Sequence, residues 1–516
     1  MSEGSWQPPS PPLPPPPLLP PPPPLLLPPP PPPPPQGHVP SDAGLQWRRF
    51  HPVTPVIKGW KVLLVLLVIL AQQTTDNLPE ARDVVSGIGV LGVLGVLVVV
   101  LLIAMGFAVI AWRVTRYAIG PDAVYLRTGV LFRRQRTARL DRIQAIDVVQ
   151  PLLARIIGLA ELKIEVAGGA DSAIRLSFLR ELHAQEVRNE LLARAAGVPI
   201  PVAGPAGQPV AGVAPVPVAP EREVFAVSAP RLLGSLLRSG SVLFSILVLV
   251  SLVVAVVISG DPAPAFAILP GFLGIAGFVW QRFAGEFGFR AALSPDGIRL
   301  RHGLLEARAQ TVPPGRVQAV KISQGPLWRG KDWWRVEMNV AGYGGTQNQQ
   351  TETVLLPVGD RQEALLVLWL VIPDLGTADP QGLLDAALSG SGEGHGFVTD
   401  PRRARWLNPL TWRRNGVAMT DRAVLLRGGR FVRRLVVVPH ERTQSLGLAQ
   451  GPLQRRLRVA SFALHSTPGP IAPVMPHLDQ EVAGALLSEQ ASRARIARAA
   501  AAPERWMTTA PRSEDA

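Results

Sequence analysis

Two glycine patterns, the histidines and a set of recurring arginines are the residues whose types and spacing could do chemistry. Gly325-x-x-x-x-Gly330-Lys331 has the spacing of a phosphate-cradling loop, and Gly87-x-Gly89-x-x-Gly92 that of a dinucleotide fingerprint. Each works only as a turn between a strand and a soluble helix, where glycines let backbone N–H groups approach an anion. Asp332 stands where a phosphate loop needs Ser or Thr for magnesium, and Gly87 opens a long apolar run, so neither is read as a nucleotide site. The eight His residues are scattered without a His-Glu-x-x-His spacing and are expected as surface or satisfied core side chains. With no Cys, thiolate metal sites, disulfides and Cys nucleophiles are excluded. No catalytic, cofactor or metal residue emerges, and the chain is expected not to be an enzyme.

Arginine and glutamine do recur. Arg127-Thr128-Gly129, Arg142-Ile143-Gln144 and Gln150-Pro151-Leu152 with Arg155 return as Arg301-His302-Gly303, Arg316-Val317-Gln318 and Gln324 with Arg329, then as Arg427-Gly428-Gly429, Arg442-Thr443-Gln444 and Gln450 with Arg455. The spacings from first to second Arg (127 to 142, 301 to 316, 427 to 442) and from second Arg to Gln (142 to 150, 316 to 324, 442 to 450) are equal in all three. After each Gln, apolar residues alternate: Leu162, Ile164, Val166; Val336, Met338, Val340; Phe462, Leu464, failing at Ser466. Period two marks a strand with one buried face. Helical patterns close the copies over Leu179 to Ala195, Arg361 to Ile372 and Leu478 to Gln490. Several short strands capped by a helix predict three small half-open barrels.

Composition places the barrels beside lipid. Mean hydropathy is +0.21, with 47% hydrophobic residues despite 55 Pro. Gly87 to Trp112 is uncharged over about 39 Å of helix, enough to cross a bilayer. Val62 to Ala71 spans only if extended at both ends, Ser241 to Ile258 and Ala263 to Phe283 form a second pair, and positive flanks put the ends of both pairs in the cytoplasm. The expected fold class is an α+β membrane protein, with two transmembrane helical hairpins and three split β-barrels, each capped by a C-terminal helix. The expected order is a Pro-rich arm (1–44), hairpin one (45–116), barrel one (117–197), a Pro/Ala-rich linker (198–222), hairpin two (223–285), barrel two (286–374), a Gly/Ser-rich linker (375–400), a divergent barrel three (401–492) and a tail (493–516).

The Arg-x-Gln, Gln-x-Leu-x-x-Arg and following Leu-x-Ile-x-Val-Ala-Gly run of copy one resembles the bacterial pleckstrin-homology-like domain of the YdbS/YdbT type. Three copies with membrane helices before a copy resemble the YdbT branch. The resemblance covers roughly residues 56 to 490 and weakens toward copy three, where Thr467-Pro468 replaces Ala167-Gly168. It implies a split barrel capped by a C-terminal helix in an integral membrane protein, and brings no established catalytic or ligand-binding residue. Fold alone does not import phosphoinositide binding.

Net charge is +14. Arginines crowd Arg133 to Arg142 and Arg430 to Arg434, where anionic inner-leaflet lipids would attract them. Arg142, Gln144, Gln150, Arg155, Arg316, Gln318, Gln324, Arg329, Arg442, Gln444, Gln450 and Arg455 are read first as fixing the turn and barrel rim, and they are also the candidate ligand or partner surface. The expected function is a multi-pass cell-membrane scaffold or regulatory module with a cytoplasmic N-terminus and cytoplasmic barrels. Its expected partners are membrane lipids with anionic headgroups, a membrane or cytoplasmic protein, or further copies of itself, and not nucleic acid. The alternative is a component of a transport or export complex.

Overall fold

The computed structural model describes residues 45–55, 95, 98–100, 102–130, 132–166, 173–195, 222–260, 265–294, 297–312, 315–341 and 353–501. The Pro-rich arm, most of the first hairpin with Gly87 to Gly92, nearly all of the linker at 198–222 and residues 502–516 lie outside these.

Copy one begins with a sheet of β1 (Arg48–Arg49), β2 (Arg116–Ile119), β3 (Ala123–Thr128) and β4 (Arg134–Arg139), antiparallel in that order. A 3-10 turn, Leu140–Arg142, leads to β5 (Ile143–Pro151), α1 (Leu152–Ile156), β6 (Leu159–Val166), β7 (Ile174–Arg180) and the closing helix α2 (Glu181–Ala195). Val124 and Leu126 of the first sheet share one core with Ile146, Leu162, Ile164 and Leu176 of the second, and Val187 and Leu191 of α2 cover it.

Copy two repeats the plan after an insertion. β8 (Arg222–Ala226) is followed by α3 (Ala229–Leu237), α4 (Gly240–Ser259) and α5 (Ala265–Glu286). The barrel resumes with β9 (Arg290–Ser294), β10 (Gly297–His302), β11 (Glu306–Val312), β12 (Val317–Gln324), β13 (Trp334–Val340), β14 (Val354–Gly359) and α6 (Arg361–Val371). Asp360 and Glu363 form a reciprocal capping box at the start of α6, and Arg231 of α3 grips Glu363 at 2.6 and 3.1 Å.

Copy three holds α7 (Pro380–Leu388), β15 (Val398–Thr399), β16 (Gly416–Met419), β17 (Ala423–Gly428), β18 (Arg433–Pro439), β19 (Ser445–Ala449), α8 (Pro452–Arg456), β20 (Val459–His465), β21 (Val474–Asp479) and α9 (Gln480–Ala500). The segment 375–400, expected as a linker, is ordered. Leu383, Leu384, Ala387 and Leu388 of α7 are buried in the same core as copy two, so apolar spacing outweighs the Gly and Ser that follow.

Among the described residues one helix, α4, is long and apolar enough to cross a membrane, with mean hydropathy 3.1. Ser239 caps its start by accepting from the Val242 N–H, and Gly260 at φ +65° ends it. α5 packs beside α4, and Gly271 permits the approach, since a Cβ there would sit 3.3 Å from Leu249 Cδ1. Residues 98–100 and 102–114 are helical and apolar. The two complete hairpins of the sequence reading thus reduce to one spanning candidate within these residues.

The sheets do not respect the copies. β5 of copy one pairs with β11 of copy two, giving a seven-stranded sheet β7-β6-β5-β11-β10-β9-β8; β12 pairs with β18 of copy three, giving β14-β13-β12-β18-β17-β16-β15. The second sheets of copies one and two each continue, edge to edge, into the first sheet of the next copy. The cores follow: Leu425, Leu435 and Val437 of copy three lie in one cluster with Val320, Ile322 and Val336 of copy two.

Candidate functional site

The repeated residues fall into two sets at opposite ends of one strand per copy. Arg142, Arg316 and Arg442 with their Gln neighbours stand where β5, β12 and β19 begin; Gln150, Gln324 and Gln450 stand where they end. Eight strand residues rise about 26 Å, so the two sets do not converge on one small ligand.

The first set trims the rim. Arg142 is exposed at the end of its 3-10 turn, and the side chain of Gln144 lies outside those described. Gln318 is buried and donates to the Arg316 carbonyl at 3.3 Å, with Arg316 half-buried. Arg442 lies 3.9 Å from Glu441, and the exposed Gln444 donates its backbone N–H to His465 at 2.9 Å.

The second set marks the joints. Gln150 lies opposite Ala307, and Gln324 opposite Arg433, whose Nη1 donates to its Oε1 at 3.4 Å. Gln324 also donates to Asp332 at 3.4 Å. Arg329 donates to the carbonyls of Arg430 and, at 2.8 Å, Phe431, holding the β17–β18 turn of the next copy. Arg155 is exposed on the cleft beside the β10–β11 turn. These turns are alike: Gly129, Gly303 and Gly429 have φ of +106°, +110° and +75°, and a Cβ on each would meet a carbonyl oxygen at 1.8 to 2.0 Å. Gln450 donates to Val459 O at 3.1 Å and to Gln480 at 2.9 Å, and Arg455 is exposed at the free end of copy three.

The phosphate-loop spacing at Gly325 proves structural. Pro326–Lys331 is a 3-10 turn between antiparallel strands, and Trp328 is buried with its Nε1 donating to Ser235 O of α3 at 3.0 Å. Asp332 adopts φ +50° and accepts from Trp334 Nε1 at 2.8 Å.

The joint between copies one and two opens into a basic cleft of about 410 Å³. Arg155, Arg188, Arg290, Arg299, Arg301 and Arg308 line it against a single carboxylate, Glu181. Gln150 Nε2 is buried there without a hydrogen-bond partner. Phe287 and Gly288, where the chain leaves α5, form one wall, so the cleft lies at the foot of the apolar hairpin.

Residues 65–195, 233–368 and 397–494 match the family model of the bacterial PH domain. The chain belongs to the bacterial PH domain family. No curated protein and no solved structure matches it. In this bacterial PH domain protein the three matched regions follow the three copies, each with two sheets and a closing helix.

A buried ion network ties the hairpin to the second bacterial PH domain. Glu286, at the end of α5, accepts from Arg335 of β13 at 2.7 Å and from Arg282 at 3.3 Å; Glu337 lies 3.4 Å from Arg335 and 2.5 Å from Lys321. Burial works to raise Glu337, but Arg335 and Lys321 outweigh it and hold the carboxyl below its ordinary range. In the third domain Arg427 is 1% exposed over the Phe397 ring at 4.3 Å. It donates to the carbonyls of Arg414, Ala386 and Gly392 at 2.9, 2.8 and 2.7 Å, and burial lowers it to about 10. Arg414 likewise caps Ala387, Leu388 and Gly390, so two arginines seal the end of α7. His440 is a satisfied core side chain, 2.7 Å from Gln490 Oε1 and 2.8 Å from Thr420 O. Among the described residues no group of three or more His, Asp or Glu could hold a metal.

Sequence reasoning did not assemble the cleft or the ion network. Arg299 and Arg301, two apart on β10, carried a local signal for the cleft, since alternate strand residues share a face. Arg335 and Glu337, charges amid the apolar alternation of β13, carried one for the network. Arg188 had none.

Proposed function

We propose that this protein is a non-enzymatic, multi-pass scaffold of the cell membrane, with its N-terminus and PH-like domains cytoplasmic, and that the cleft between the first two domains holds an anionic lipid headgroup. The carrying observation is the gathering of six arginines on one cleft at the foot of α5, an excess of positive charge that persists although Arg308 also pairs with Glu306 at 3.0 Å and Arg290 with Glu223 at 3.9 Å. Guanidinium groups match phosphate oxygens in geometry and charge. The character of α4 supports a bilayer near the cleft: its mean hydropathy is 3.1 and only 6% of its apolar window is buried, which leaves side chains such as Phe244, Leu247 and Ile258 bare. Three PH-like copies with a helical insertion before the second fit the YdbT branch of the family. Of the remaining repeated residues, Gln324 and Arg329 hold the second joint in register, and Gln318 trims the barrel rim.

The test is retention of phosphatidylglycerol against phosphatidylcholine by the purified full-length protein in mixed micelles, for wild type and R155A/R301A. Each cation contributes about 1 kcal/mol, so the double variant loses roughly 10- to 30-fold in phosphatidylglycerol retention, with phosphatidylcholine unchanged. Equal retention of both lipids by wild type, or no loss in a variant with wild-type thermal stability, overturns the reading.

A further inference from the structure

Two joints inside this chain are built alike. In the first, Val148, two places before Gln150, pairs with Ala309, seven before Arg316. In the second, Ile322, two before Gln324, pairs with Leu435, seven before Arg442. Two joints therefore share one antiparallel register. Each consumes the first strand of a second sheet and the last strand of the following first sheet.

One edge of each kind is left over. β19 is the copy-three counterpart of β5 and β12, and β4 is the copy-one counterpart of β11 and β18. Among the described residues each is hydrogen-bonded on one side only. Leu448 in β19 is 43% exposed, where its counterparts Val148 and Ile322 are 5% and 0% exposed. An open edge with a bare apolar residue is a template for another strand. The arginines of β4 do not block such pairing, because β18 carries Arg433 and Arg434 and still pairs with β12.

We propose that β19 of one molecule pairs with β4 of a second copy of this chain, repeating the internal joint between molecules. The shared register places Leu446 opposite Thr137, Gly447 opposite Arg136, Leu448 opposite Gln135 and Ala449 opposite Arg134. It also sets Arg133 facing Gln450, as Arg433 faces Gln324. Arg455 then stands beside the Gly129 turn of the neighbour, as Arg329 stands beside the Gly429 turn. The two edges differ, so the contact is head to tail and builds a ring if the rotation closes and a filament if it does not. This inference is independent of the lipid reading and stands or falls separately.

The chain contains no Cys, which makes the register directly testable in the full-length protein. L448C and Q135C, purified separately in detergent, are mixed and mildly oxidised. The expected result is a covalent dimer in the mixture and little in either variant alone. The unmodified protein is expected to have a mass at a multiple of 55.3 kDa beyond the detergent. Absence of the crosslink from variants with wild-type melting temperatures overturns the proposal. So does L448C crosslinking to itself as strongly as to Q135C, which indicates a two-fold β19 contact. A monomeric wild type both in detergent and after crosslinking in native membranes also overturns it.

Discussion

Replacing Arg335 with Met tests how the hairpin is fastened to the second bacterial PH domain. The guanidinium is the nearest partner of Glu286, at 2.7 Å, and Glu286 is 2% exposed with its Oε2 already lacking a hydrogen-bond partner. The substitution leaves that carboxylate with Arg282 alone, at 3.3 Å on a side chain 27% exposed. Breaking a buried pair by removing one member costs about 3–5 kcal/mol, because the remaining charge stays out of water. For a cooperative unit of roughly 150 to 250 residues this lowers Tm by on the order of 10 °C. Glu337 adds a pH signature. Its folded pKa is depressed, so its contribution is present above the ordinary 4.5 and lost as pH falls through the folded value. R335M weakens that depression and flattens the acid limb. Thermal unfolding of purified protein by tryptophan fluorescence reads both effects. The double variant E286L/R335M recovers most of the loss, since apolar side chains replace a buried pair at little cost. A loss under about 1 kcal/mol for R335M, or a double variant as unstable as the single, refutes the reasoning.

Asp400 is 3% exposed; burial raises it to about 7, with the Asn415 amide at 2.8 Å pulling the other way. The folded state therefore keeps the proton between the ordinary 3.8 and about 7, and stability falls as pH rises through that window by on the order of 4 kcal/mol. D400N is expected to be more stable than wild type at pH 8 and equal to it near pH 4, as denaturant midpoints at both pH values will read. G303A forces a Cβ to 2.0 Å from the Glu306 carbonyl at φ +110°, and a loss of about 1–3 kcal/mol is expected from urea unfolding. R427M removes three donors from the carbonyls of Ala386, Gly392 and Arg414, so hydrogen exchange across 386–396 speeds at least tenfold, about 1–3 kcal/mol per orphaned carbonyl. Unchanged exchange there refutes the sealing role of Arg427.

The three copies were legible in the sequence because each anchor answers a local demand. Gly129, Gly303 and Gly429 recur where the backbone must turn with positive φ, and Ile146/Val148 and Val320/Ile322 recur where one face of a strand is covered, a pattern that Leu446/Leu448 repeats on a strand whose Leu448 stays exposed. The closing helices appeared where expected, with α9 running on to Ala500. Gly390, Gly392 and Gly394 make 375–400 read as a linker, whereas the four apolar residues of α7 within it are buried by a core that two copies build together.

Side-chain pattern determined which face of each strand is buried, and so the number and kind of domains. It could not determine which edge meets which. An edge is a row of N–H and C=O groups that nearly every residue carries, so the pairing of Gln150 with Ala307, or of Gln324 with Arg433, leaves little trace in residue type. Only the tertiary structure decided that Gln150 and Gln324 fall at joints between domains, and that six arginines from separate stretches share one cleft.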